Sequence, residues 1–121
     1  MKGITLGCLS MFFAVAAGAF GTHVLESQLE PHLMNAWRVG VQFQTLHSLA
    51  LILAGIYCRV FQRKIRLVKV LFAIGIFLFS GSLYLLAVTG FRGLGIVTPF
   101  GGLAFLGGWL AFAWNAWRAE P

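Results

Sequence analysis

Residues 40–51, GVQFQTLHSLAL, place the tightest limit on what this chain can fold into. They open an apolar run that reaches Cys58, long enough to cross a bilayer as a helix. Yet the run holds Gln42, Gln44, His47 and Ser48. Hydrocarbon offers such groups no water, so a fold that contains them must supply partners from other spans. At helical spacing Gly40, Gln44, His47, Ser48, Leu51 and Gly55 share one face, while Leu46, Leu49, Leu53 and Ile56 cover the other. The polar and small face is expected against protein and the leucines against lipid. Gln42 falls on the lipid side, near a helix end from which it can reach the headgroups.

Only 10% of the 121 residues are charged and 60% are hydrophobic. A soluble domain carries about 25% charged residues, so the chain reads as an integral membrane protein. Its expected fold is all-α, a single four-helix transmembrane bundle over residues 1–121, with spans near 3–21, 39–61, 67–89 and 100–117. The formal charge of +6 would suggest nucleic acid in a soluble chain. In a membrane chain it serves topology and anionic lipid heads, so membrane lipids are the expected partners and nucleic acid is not. Cys8 and Cys58 make neither a metal spacing nor a disulfide framework and read as small packing residues. The first residues imitate a cleavable signal peptide, but the apolar run continues to Gly21 and suits a retained span.

In the first span Gly3, Gly7, Ser10, Ala14, Ala17, Gly18 and Gly21 form a small-residue stripe, and in the fourth Gly101, Ala104, Gly108, Ala111 and Asn115 form another. Such stripes let membrane helices approach closely, within a chain or between copies, so a homo-oligomer through these faces is an open expectation. Between the first two spans, residues 22–38 repeat Leu25, Leu29, Leu33 and Trp37 every four positions. That spacing predicts an amphipathic segment lying in the interface, broken near Pro31. His23, Glu26 and Glu30 within it could gather around a divalent cation, although a solvated polar face is the simpler reading. Residues 62–66 are a short basic loop, and residues 90–99 a glycine-rich one. Thr98 followed by Pro99 reads as a helix N-cap with proline at the first helical position.

Four spans put both termini and the basic loop on one side. Lys2, Arg59, Arg63, Lys64, Arg66, Lys69 and Arg118 lie there, against Arg38 and Arg92 opposite. The positive-inside rule then places the N and C termini in the cytoplasm.

Two polar sets sit at membrane depth: Gln44, His47 and Ser48 on the second span, and Ser80, Ser82 and Tyr84 on the third. Their depths match, so they could meet as a polar cluster with His23 at its outer rim. An intramembrane ionisable residue is a functional candidate, and His47 could carry protons, bind a metal or ligate haem. A neutral histidine bonded across helices is equally a structural link, stabilising by about 0.6 kcal/mol per bond. Catalytic templates are missing. Phe79-Ser80-Gly81-Ser82-Leu83 lacks the flanking glycines of a nucleophile elbow. No acidic residue lies within a span, which removes the usual carboxylate of a cation-coupled transporter. No enzyme, cofactor or resident metal is therefore expected.

Four blocks, GAFGTHVL at 18–25, VQFQTLHSLAL at 41–51, FSGSLYLLAVTG at 79–90 and TPFGGLAFLGGW at 98–109, resemble a known family. It is the small bacterial membrane proteins called domain of unknown function 423, related to eukaryotic transmembrane protein 256. Thr22 and Val24 depart mildly from the smaller residues expected there. The resemblance implies a multi-pass inner-membrane protein and brings no activity, substrate or cofactor. Two functions are expected to compete: support of membrane integrity or of a membrane complex, and binding or transport of a small molecule, proton or lipid at the cluster around His47.

Overall fold

The computed structural model describes residues 2–120. Helix α1 covers Gly3–His23, α2 Pro31–Phe61, α3 Arg66–Gly75, α4 Gly81–Thr89 and α5 Thr98–Ala119. A π-helical stretch, Ile76–Ser80, joins α3 to α4 without a break, so the two make one span. Four stretches are long and apolar enough to cross a membrane: Gly3–Ser27, Pro31–Phe61, Arg66–Thr89 and Arg92–Ala119. The described residues contain no strand.

The segment between the first two spans breaks at Pro31 as expected, but residues 31–38 open α2 and do not form a separate piece. There is no single interfacial helix over residues 22–38. Residues 22 and 23 end α1, Leu25–Ser27 form one 3-10 turn, and α2 already starts at Pro31. Proline at the first helical position is the cause: its missing N–H costs nothing there, and its fixed φ suits a helix start. Glu30 precedes it in extended conformation, and its carbonyl accepts from Met34 N–H at 2.9 Å. The leucine repeat that imitated one amphipathic surface belongs to two pieces. Leu25 and Met34 are both buried, and Trp37 donates its indole N–H to the Ala17 carbonyl of α1 at 2.9 Å. Glu26 pairs with Arg38 and Glu30 with His32, all on the exposed surface. Among the described residues no three His, Cys, Asp or Glu side chains gather as a metal site.

Helix α2 is central. It packs along α1 on one side and against α4, the π stretch and α3 on the other, while α5 packs on α3 and the π stretch. The core joins Ala50, Leu51 and Ala54 of α2 to Val68 and Phe72 of α3 and Phe105 and Phe112 of α5. The face of α2 marked by the sequence is buried throughout, from Gly40 to Gly55, and Leu46, Leu49, Leu53 and Ile56 are exposed. In a membrane chain those leucines meet lipid.

Close approach explains the small-residue stripes. A Cβ at Gly7 would lie 2.7 Å from the Ser48 carbonyl, and one at Gly55 would lie 2.8 Å from Ile4 N. The α1–α2 seam is thus backbone against backbone in two places. On α5, a Cβ at Gly101 would stand 2.4 Å from Phe79 N, so the helix begins directly on the π stretch. Both stripes are consumed inside the chain.

Gly7→Val and Gly55→Val should each destabilise by about 1–3 kcal/mol, the usual cost of overpacking, whereas Gly81→Ala, with nothing within 4 Å, should not. Thermal unfolding of the purified variants in detergent, followed by circular dichroism, checks this. Equal melting of all three would show that α1 and α2 do not touch as described.

Candidate functional site

Gln44 sits where three spans meet. Its amide nitrogen donates to the Ser10 carbonyl of α1 at 2.9 Å and lies 3.3 Å from Ser10 Oγ. Its amide oxygen accepts from the Tyr84 hydroxyl of α4 at 2.6 Å. One helical turn along, Ser48 Oγ donates to the Gln44 carbonyl at 2.6 Å and stands 2.7 Å from Ser10 Oγ. Gln44 and Ser48 share a face because they are four residues apart on one helix, so a single side of α2 serves α1 and α4 together. The aromatic ring of Tyr84 fills the space over Gly40 and lies 4.6 Å from the ring of Trp37.

His47 lies on the flank of α2 that turns to α5. Its Nδ1 is 2.8 Å from the Phe43 carbonyl, and Trp109 Nε1–H donates to its Nε2 at 3.0 Å. A carbonyl only accepts and an indole N–H only donates. The imidazole therefore carries its proton on Nδ1 and is neutral. The Phe105 ring stacks on it at 3.5 Å between centroids and 10° between planes, and Phe72 closes the other approach at 5.6 Å. Neither ring nitrogen has a lone pair left for haem or a metal, and a proton on Nε2 would face the indole donor.

The serines of the third span do not join Gln44 or His47. Ser80 Oγ donates to the Gly40 carbonyl of α2 at 2.7 Å. Ser82 turns the other way, 2.6 Å from Thr98 Oγ1 on α5 and 2.9 Å from the Phe79 carbonyl. Two residues apart on a helix, the serines point to nearly opposite sides; Ser80 shares its face with Tyr84, both lying against Gly40. Thr98 is consequently the first residue of α5 rather than its N-cap, its hydroxyl being held by Ser82.

The expected cluster is thus four separate groups: Gln44 and Ser48 with Ser10, Tyr84 joining through Gln44; His47 with Trp109; Ser80 with the Gly40 carbonyl; and Ser82 with Thr98. His23 belongs to none, being exposed at the end of α1. Trp109 and Ser10 are the functional partners that sequence reasoning missed. Both carried a signal: an indole N–H within a span needs an acceptor, and Ser10 was the one hydroxyl in the first glycine–alanine stripe. No buried side-chain nitrogen or oxygen among the described residues lacks a hydrogen-bond partner.

Beside His47 a groove of about 560 Å³ runs between α2 and α5, lined by Phe43, Phe79, Leu103, Phe105, Leu106 and Trp109 among others. Its mouth is framed by Leu46, Leu103 and Leu106, all exposed. The polar atoms of its wall, on His47 and Trp109, are already bonded to each other. Nothing in it joins a nucleophile to a base; it is a surface for apolar matter.

Residues 17–102 match the family described as "Protein of unknown function (DUF423)". A UPF0382 membrane protein of Staphylococcus haemolyticus is 42% identical over 107 residues, covering 88% of each chain. The chain belongs to this family. Another member, the UPF0382 inner membrane protein of Escherichia coli, is 38% identical across 97% of this chain and 90% of its own length. A third, from Haemophilus influenzae, is 36% identical across 98% and 96%. No solved structure matches. This DUF423 member is accordingly a multi-pass membrane protein of a family whose role is unknown.

If Gln44 links α4 to α2 through Tyr84, the two side chains should couple. A double-mutant cycle with Gln44→Leu and Tyr84→Phe, read by unfolding in detergent, should give a coupling of about 0.6–1.7 kcal/mol, the range for hydrogen bonds between membrane helices. Additive losses would contradict the link.

Proposed function

We propose that this chain is a non-catalytic inner-membrane bundle that supports the integrity of the membrane or of a complex within it. The observation that carries the reading is that, among the described residues, every buried polar side-chain atom is paired within the chain. A binding or transport site normally keeps some polar group free for its ligand or for water, and here Gln44, His47, Ser48, Ser80, Ser82 and Tyr84 are each spoken for within the chain. The alternative, a small-molecule, proton or lipid route through the cluster around His47, has only the apolar groove in its favour. The inner-membrane location draws support from the Escherichia coli relative's description. Cytoplasmic termini draw support from the seven basic residues gathered at their end of the bundle against two at the other. With both small-residue stripes occupied internally, a homo-oligomer would have to use a different face.

Removing the chain from its own cells should raise uptake of a membrane-impermeant dye, and wild-type protein should reverse it. His47→Gln, at equal folded amount in the membrane, should rescue as well as wild type. The same strain carrying a fluorescent protein after Ala119 should glow, since the fusion folds in the cytoplasm. Unchanged dye uptake on removal, or a folded His47→Gln that fails to rescue, would contradict the proposal.

A further inference from the structure

We infer that the basic end of the bundle is a built site for a phospholipid headgroup carrying two phosphates. Two cavities of about 480 and 460 Å³ open where α1 and α3 begin and α2 ends. Cys58, Arg59 and Lys69 form the wall they share. The first cavity adds Arg63, Lys64 and Arg66, the second Lys2, so six cations from four segments converge. Among the described residues no side-chain carboxylate lines either cavity. Glu26 and Glu30 are paired at the opposite end with Arg38 and His32, and Glu120 follows α5 outside both.

The backbone adds charge of the same sign. The N-termini of α1 and α3 both open here, and neither has a side-chain cap or an acid in its first turn. Their positive dipole ends therefore reinforce the side chains. The negative end of α2, which could offset them, is closed off. Gln62 takes a left-handed conformation with φ 54°, and its N–H bonds the Cys58 carbonyl, as does that of Arg63 at 3.2 Å. The Gln62 side chain donates to the Arg59 carbonyl at 2.8 Å.

The turn is also held in place before any ligand arrives. Ile65, almost wholly buried, plugs into the core beside Val68 and Phe72, fixing Lys64 and Arg66 on either side of it. The backbone that carries these cations is therefore ordered before binding, which spares that part of the entropic cost. The occupant is a lipid because the exposed apolar residues Val60, Phe61 and Leu67 follow the lining residues Arg59 and Arg66 directly in the chain, so a headgroup on the cations leaves acyl chains beside apolar surface. It carries two phosphates because two cavities flank one cationic wall.

The test uses the full chain in nanodiscs that contain cardiolipin and phosphatidylglycerol at equal total phosphate, followed by native mass spectrometry. One cardiolipin should remain on each chain, retained about tenfold over phosphatidylglycerol per phosphate. Arg59→Gln and Arg66→Gln should each weaken this about fivefold, from roughly 1 kcal/mol per interfacial cation. Arg118→Gln, at the same end but outside both cavities, should leave retention unchanged, and inorganic phosphate should not displace the lipid. Equal retention of the two lipids per phosphate, an equal loss in Arg118→Gln, or displacement by inorganic phosphate would overturn the assignment.

Discussion

The side-chain amide of Gln44 joins α1, α2 and α4 in the interior of a bundle that has few other polar groups. In water such an amide would have solvent as a competitor for every bond. In hydrocarbon it has none, and an unbonded amide would cost several kcal/mol. The donation to Ser10 and the acceptance from Tyr84 therefore fix which faces of three helices look inward. His47 repeats the logic on the other flank, where the indole of Trp109 settles both the tautomer and the approach of α5.

Those bonds are short enough to form only because the backbones come close. Gly7 and Gly55 let α1 lie directly on α2, which brings the Ser10 carbonyl within reach of Gln44. Gly101 lets α5 start against Phe79, which holds Thr98 over Ser82. Small residues thus act as spacers whose absence of side chain sets the geometry of the polar contacts. The bulky aromatics, Phe72, Phe105 and Phe112, fill the wider seam on the α5 side. Without a hydrophobic drive between helices in lipid, packing and these few bonds are what hold the spans together.

Much of this was legible in the sequence, and the limits have physical causes. Apolar runs of bilayer length gave four spans, and helical periodicity gave the buried face of α2 residue for residue. Periodicity names a face but not the helix that covers it. That is why Gln44, His47, Ser80 and Ser82 looked like one cluster and proved to be separate pairings, with Trp109 and Ser10 as unforeseen partners. Over residues 22–38 the break near Pro31 was legible from the proline, but the four-residue leucine spacing could not show that residues 31–38 belong to the second span.

Function follows from what the interior leaves over. With its polar side chains paired, the bundle has a closed middle, an apolar groove towards lipid and a cationic end. That distribution is what supports the proposed non-catalytic reading. The most direct test of the closed interior is nitrogen-15 NMR in nanodiscs, reading water contact and proton exchange at the Gln44 amide and His47 Nδ1–H. Both should exchange slowly and show no transfer from water. Fast exchange with a water contact at either group would mean a hydrated site, and the account of a closed bundle would fail.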